Sequence, residues 1–179
     1  MIKDKIGVLV RQPQKLFHTS DLKVLWNVSN KNTLYKTISR LIKRKVLISV
    51  QKGLYSLVPL NQLDPTEIGF RVINRFNYLS TESVLSKNGI INQSPNKITF
   101  VSSLSSNFKI NGVDYLVRQL KPQALNNSIG IIQNDKGVLM ANIERAVVDM
   151  LYFQPNYHFD GDNIINWDMV KDYQKQIYL

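Results

Sequence analysis

The chain has 179 residues and a formal net charge of +10, with 23 lysines and arginines, 13 aspartates and glutamates, and no cysteine. The lack of cysteine excludes disulfides, thiolate zinc sites and cysteine nucleophiles. With 44% hydrophobic and 20% charged residues, the composition predicts a folded chain with a core rather than a disordered tail. No apolar run approaches the roughly 18 residues of a membrane-spanning helix, so we expect a cytoplasmic protein without a membrane partner.

The basic excess is confined to the first third of the sequence. Residues 1–60 contain twelve basic and two acidic residues, whereas residues 61–179 contain eleven of each. A lysine-rich solvated surface is the ordinary explanation of a basic chain. Concentration of the charge in one segment instead favours two modules, of which the first binds a polyanion and the second does not.

Three helices are predicted in the basic segment. Apolar spacing predicts a short helix over residues 4–11 and a second one that starts from a cap at Thr19 or Ser20. A longer amphipathic helix is predicted over residues 31–45, after a start signal at Asn30. Its apolar stripe consists of Leu34, Ile38, Leu41 and Ile42, and Trp26 and Leu34 are expected in the core.

A β-hairpin follows, because residues 47–55 alternate in polarity around a turn at Lys52 and Gly53. Two helices, a longer basic helix and a basic-tipped hairpin are the order of a winged helix-turn-helix, which predicts a DNA-binding domain over residues 1–60. The predicted DNA-binding residues are Lys31, Asn32, Tyr35, Lys36, Ser39, Arg40, Lys43, Arg44 and Lys52. Arg40 is the candidate for a base contact, and a phosphate clamp is its alternative role. A winged helix that binds protein would present an apolar or acidic third helix, so the basic face favours DNA.

Four stretches of the sequence resemble a known family. LFHTSDL and ISRLIKRKVLISVQKGLYSL resemble the N-terminal winged helix of the AbiEi family of type IV antitoxins, which are also described as transcriptional regulators of a viral-defence system. YLSTESVLSKNGIINQSPNKITFVSS resembles the central helix and following strand of that family, and ANIERAVVDMLYFQPNYHFD resembles its later helix. Together the matches run from about residue 16 to residue 160.

The resemblance implies an antitoxin of an abortive-infection operon. Such a protein represses its own promoter, at inverted repeats in double-stranded DNA, and its C-terminal part counteracts a nucleotidyltransferase-like toxin, with or without direct contact. Only residues 161–179, which end in WDMVKDYQKQIYL, follow the last match, whereas many family members are expected to continue further.

Residues 61–179 are predicted to form a small mixed α+β domain, after a boundary marked by Pro59 and Pro65. The predicted helices span residues 66–76, 80–88, 141–153 (or from Met140) and 168–177. The predicted strands span residues 98–102, 108–110, 113–120, 129–133 and 138–139, with Asn111 and Gly112 as a hairpin turn.

Glu144, Arg145 and Asp149 are the residues singled out in the second domain. The i, i+4 spacing of Arg145 and Asp149 predicts an ion pair within a helix. The resemblance assigns Glu144, Arg145 and Asp149 to antitoxicity or to the fold, and the ion pair explains two of them without any activity.

We predict neither an enzyme nor a cofactor or metal site. The chain has no phosphate-binding glycine loop, and His18 and His158 lack metal-ligand spacing. One alternative is a plain winged-helix regulator whose second domain senses a ligand or a protein. The other is a metal-dependent nucleic-acid enzyme with Asp160 and Asp162 as ligands, for which the sequence offers no third acidic ligand.

Overall fold

The computed structural model describes the backbone of residues 2–178 and the side chains of residues 4–178. It is a mixed α+β protein, as predicted, with two sheets. The chain divides into two compact units, Met1–Asp64 and Pro65–Leu179. The division lies four residues after the predicted one, because the short 3-10 helix Leu60–Gln62 belongs to the first unit. None of the helices between residues 2 and 178 combines the length and the apolarity needed to cross a membrane.

The first unit contains three helices and a small antiparallel sheet. In chain order its elements are α1 (Ile2–Val10), β1 (Leu16–His18), α2 (Thr19–Leu25), α3 (Lys31–Lys43), β2 (Ile48–Gln51) and β3 (Leu54–Ser56). The sheet has the strand order β1-β3-β2. Its core includes Trp26 and Leu34, as expected, and the indole N–H of Trp26 donates to the carbonyl of Lys5 at 3.1 Å.

The cap of α2 differs from the prediction, because His18 and not Thr19 or Ser20 occupies the N-cap position. The backbone N–H of His18 donates to the carboxylate of Asp21 at 2.8 Å. Thr19 does not cap the helix, because its N–H and its hydroxyl both donate to the carbonyl of Gly53, at 2.9 and 3.3 Å. These bonds attach the start of α2 to the turn of the β2–β3 hairpin.

The second unit is built on a six-stranded mixed sheet with the order β6-β7-β5-β4-β9-β8. Its helices are α4 (Pro65–Val72), α5 (Glu82–Lys87), α6 (Pro122–Leu125), α7 (Ile143–Phe153) and α8 (Trp167–Tyr178). Its strands are β4 (Asn77–Leu79), β5 (Ile98–Ser102), β6 (Ser106–Ile110), β7 (Val113–Gln119), β8 (Ile131–Gln133) and β9 (Leu139–Ala141). The β6–β7 turn is the predicted one, with Asn111 and Gly112 at φ 49° and 81°, the left-handed pair of a type I′ turn.

Two boundaries in this unit differ from the prediction because of asparagine side chains. The predicted helix over residues 66–76 ends at Val72, because the amide of Asn77 donates to the carbonyls of Phe70, Ile73 and Arg75 at 3.2, 3.1 and 2.8 Å. Helix α7 begins at Ile143 rather than at residue 140 or 141, since the side chain of Asn142 caps it by accepting from the N–H of Arg145. The residues before Asn142 join the sheet as β9 instead.

Gly69 allows α4 to lie directly on the sheet. A Cβ atom at this position would lie 2.5 Å from the Tyr115 ring and 2.7 Å from the Phe100 ring, so we expect Gly69→Ala to destabilise the second unit by roughly 1–3 kcal/mol through overpacking. Urea unfolding would measure the change. Gly7→Ala is the matched control, because nothing lies within 4 Å of its Cβ position in α1, and alanine there should stabilise the first unit by about 0.5–1 kcal/mol. An unchanged free energy of unfolding in Gly69→Ala would contradict the close packing.

Candidate nucleic-acid interface

Helix α3 is anchored to the core of the first unit along one face only. Asn30 caps it, with its side chain accepting from the N–H of Thr33 at 3.1 Å. The buried residues of the helix are Leu34, Thr37, Ile38 and Leu41. Leu34, Ile38 and Leu41 belong to the predicted stripe, whereas Ile42 is only half-buried. The hydroxyl of Thr37 donates to the carbonyl of Thr33 at 2.8 Å, so this polar side chain is satisfied within the helix.

The other face of α3 is open to solvent and carries every DNA-binding residue predicted for the helix. The exposed side chains are Lys31, Asn32, Tyr35, Lys36, Ser39, Arg40, Lys43 and Arg44, which is the C-cap. Thr33 is exposed among them, and Tyr35 is the one large apolar side chain in this set, with 53% of its surface exposed. The structure therefore brings the predicted residues together on one helix, opposite the core.

Lys45 is a further exposed cation of this surface that was not predicted. It follows the helix in the left-handed region, at φ 57°. Its N–H donates to the carbonyl of Ile42 at 2.9 Å, which closes the end of the helix. The run of three basic residues from Lys43 to Lys45 was the available signal, but it does not show where the helix ends.

The cations on the basic face of α3 form no ion pairs within the part of the chain that the structure describes. Helix α3 has no acidic residue in its first turn, so no negatively charged side chain there offsets the partial positive charge of its N-terminus. Asp21 is already occupied, because it accepts the N–H of His18. The surface is therefore suited to a polyanion that brings its own negative charge.

The β2–β3 hairpin presents the last predicted residue, Lys52. This lysine is exposed in the turn beside Gly53, which adopts φ 85°. The register shifts between Ser49 and Gln51, so the hairpin twists just before its turn. The structure thus offers two separate basic features in the first unit, the outer face of α3 and the tip of this hairpin.

Arg145 and Asp149 form the buried ion pair that their spacing predicts, and neither side chain has any exposed surface. The Nε of Arg145 donates to one oxygen of Asp149 at 2.9 Å. Its Nη atoms donate to the hydroxyl of Tyr78 and to the carbonyls of Ala124, Asn127 and Ile129 at 2.8–3.0 Å. All five N–H donors of the guanidinium are therefore used.

Asp149 is equally well satisfied, since four donors converge on its two oxygens. Tyr78 and Ser80 donate to one oxygen at 2.9 and 2.7 Å. Tyr178 donates to the other oxygen at 2.7 Å, beside the Nε of Arg145. The pair thus ties α7 to β4, to α8 and to the segment around α6. This is a scaffold role, whereas Glu144 is half-exposed on the same helix.

The tyrosines of this network predict a loss of stability in alkali. Burial, and then the charge of Asp149, raises the pKa of Tyr78 and of Tyr178 above the ordinary value near 10.0. The folded protein therefore keeps both protons at a pH where the unfolded chain releases them, so their stabilisation is complete below about pH 10 and is lost as the pH rises further. Each tyrosine steepens the decline by up to about 1.4 kcal/mol per pH unit.

Urea midpoints measured from pH 8 to pH 12 would test this. Tyr178→Phe should lower the stability at neutral pH, since Asp149 loses a donor, and should make the alkaline decline shallower. The assignment would be wrong if the stability of Tyr178→Phe and of Tyr78→Phe declined with pH as steeply as that of the wild type.

The aspartates of the enzyme alternative do not form a ligand cluster in the structure. The carboxylate of Asp160 accepts the backbone N–H of Asn92 at 2.8 Å. The carbonyl of Asp162 accepts the indole N–H of Trp167 at 3.2 Å. Within residues 4–178, no three histidine, aspartate or glutamate side chains lie close enough to hold a metal ion together. The carboxylate of Asp160 thus joins the segment before α8 to Asn92, and Asp162 takes part in its contact only through its backbone carbonyl.

Comparison with known proteins adds no relative to this picture. No protein-family model matches the chain, and no curated protein sequence matches it.

Proposed function

We propose that the first unit is a winged helix-turn-helix domain that binds double-stranded DNA. The element order supports this assignment, because α2 and α3 follow each other across a tight turn with Asn27 at φ 48°, and the β2–β3 hairpin comes directly after them. In such domains the second helix of the pair enters the major groove. Here that helix is α3, and the hairpin with Lys52 is the wing.

One observation carries the proposal. The outer face of α3 is basic and exposed, and its cations form no ion pair with any described carboxylate, while its inner face is fixed in the core. A protein-binding surface would be expected to centre on apolar residues, whereas Tyr35 is the one large apolar side chain on this face. Cations spread along a helix of this length can neutralise several phosphates at once.

We further propose that the protein is an autorepressor and antitoxin of an abortive-infection operon. The division of charge supports this, since twelve basic and three acidic residues fall in the first unit and eleven basic and ten acidic residues in the second. The first unit would bind inverted repeats in its own promoter. The second unit would counteract a nucleotidyltransferase-like toxin, in line with the resemblance of the motifs around Thr81 and Arg145.

A gel shift tests the DNA-binding proposal. The fragment upstream of the gene and an unrelated duplex of equal length would be compared at two salt concentrations. We expect preferential retention of the upstream fragment, with affinity falling steeply between 50 and 200 mM salt, by roughly a thousandfold for about six phosphate contacts. The DNA-binding proposal would be contradicted if the protein showed no salt-dependent affinity for either duplex. Rescue of growth when the toxin is co-expressed tests the antitoxin proposal separately.

A second candidate function is a regulator whose second unit senses a small ligand. It is favoured by an open surface cleft of about 300 Å³ between α7 and α8. Its lining residues are Val148, Leu151, Tyr152, Gln174 and Tyr178. Tyr178 also donates to the buried Asp149, so an occupant would contact the scaffold network directly. A chain that binds its promoter but fails to rescue cells from the toxin would favour this candidate.

A further inference from the structure

We infer that α3 reads adenine and guanine bases with the line of side chains farthest from the core, and that the residues flanking this line contact phosphates. The inference rests on the proposed DNA binding and adds to it a base preference and a division of roles. It moves Arg40, the sequence-based candidate for a base contact, to a phosphate.

The line is defined by helix geometry. Successive residues of an α-helix are rotated by about 100°, so Asn32, Lys36, Ser39 and Lys43 fall within about 60° of one another. The buried residues Leu34 and Leu41 lie on the opposite side of the same helix. All four side chains of the line are exposed. When the outer face of such a helix lies in the major groove, this line of side chains points toward the base edges.

The chemistry of the line selects particular bases. Asparagine forms two hydrogen bonds with the N6 and N7 atoms of adenine, and lysine donates to the O6 and N7 atoms of guanine. Asn32 therefore favours adenine, and Lys36 and Lys43 favour guanine. Ser39 can donate or accept and tolerates either base. The line rises by roughly 16 Å from Asn32 to Lys43, which corresponds to about five base pairs at 3.4 Å each.

The flanking residues are placed for the DNA backbone. Arg40 lies about 70° to one side of the line's centre and Tyr35 about 70° to the other side. Lys31 and Arg44 lie farther round, at the two ends of the helix. The two sugar-phosphate backbones form the sides of the major groove, so side chains at the edges of an inserted helix contact phosphates rather than bases.

In vitro selection from a randomised duplex library would test the inference with the full-length wild-type chain, Asn32→Ala, Arg40→Ala and Lys175→Ala. Affinities would then be measured for the selected duplex and a random duplex at two salt concentrations. We expect Asn32→Ala to lose one adenine preference and to bind the selected duplex roughly 5- to 150-fold more weakly, with unchanged affinity for the random duplex. Arg40→Ala should weaken both duplexes alike and reduce the salt slope by about 0.9.

Lys175→Ala is the matched control, because this exposed lysine lies in the second unit, and it should match the wild type. Thermal midpoints would verify that the exposed substitutions leave the fold intact. An unchanged adenine preference in Asn32→Ala, or a base preference lost in Arg40→Ala, would overturn the division of roles. Salt-dependent binding without any enriched sequence would overturn base reading but leave DNA binding in place, whereas no binding at all would overturn the proposed function itself.

Discussion

Arg145→Met should destabilise the second unit by about 3–5 kcal/mol, because it leaves the carboxylate of Asp149 buried without a cation. Methionine has a similar volume but donates nothing, so the carbonyls of Ala124, Asn127 and Ile129 also lose their donor. Domains of this size have a total stability of roughly 5–15 kcal/mol, so a loss of this size removes a large part of the stability of the second unit. Urea unfolding followed by circular dichroism would measure it.

Two further variants would test whether the loss of stability in Arg145→Met comes from the burial of the ion pair. Lys109→Met removes a cation from an exposed ion pair, that of Lys109 and Asp114 at 3.1 Å, and should change stability by no more than about 1 kcal/mol. The double variant Arg145→Met with Asp149→Leu removes both charges and should recover part of the loss. If Arg145→Met were no more damaging than Lys109→Met, the buried pair would not be the scaffold described above.

Arg40→Glu combined with Lys43→Glu should weaken binding to the upstream fragment on the order of a hundredfold or more at physiological salt. The variant loses one cation assigned to a phosphate, Arg40, and one on the base-reading line, Lys43, and it places two negative charges against the DNA. The fold should persist, because both side chains are exposed on the outer face of α3. Filter binding at several salt concentrations would measure both the affinity and its salt dependence.

The matched control for this charge reversal is Lys87→Glu combined with Lys175→Glu. It changes the net charge by the same amount, and both lysines are exposed in the second unit. We expect at most a few-fold effect, since the long-range field of the protein changes but no groove contact is lost. Equal losses in the two double variants would mean that DNA responds only to overall charge, and the assignment of α3 to the groove would be wrong.

Local sequence signals predicted the elements that present the candidate site. The stripe of Leu34, Ile38 and Leu41 placed a helix over residues 31–45, and the structure has Lys31–Lys43. A periodic pattern and a capping residue such as Asn30 act within a few positions of the chain. The Asn111–Gly112 turn can be predicted for the same reason, since its left-handed backbone conformation strongly favours those residue types.

Strands β1 and β4 were not predicted, because neither lies beside a predicted hairpin turn or within a longer β-rich run. Strands β1 and β4 have three residues each, which is too few for an alternating pattern to stand out. Their place depends on partners far along the chain, as in the pairing of Leu16 with Ser56. The end of α4 likewise depends on Asn77, whose side chain takes the carbonyls that would have continued the helix.

The sequence by itself determined that the basic charge lies in one segment and that one face of its third helix is apolar, because charge and helical periodicity are local properties. It also predicted the pairing of Arg145 with Asp149, which lie one helical turn apart. Only the tertiary structure decided that this pair is buried beneath Tyr78, Ser80 and Tyr178. Burial depends on which distant segments fold over a residue, and desolvation makes the loss of one partner of a buried ion pair costly, whereas the same loss from an exposed pair is nearly neutral.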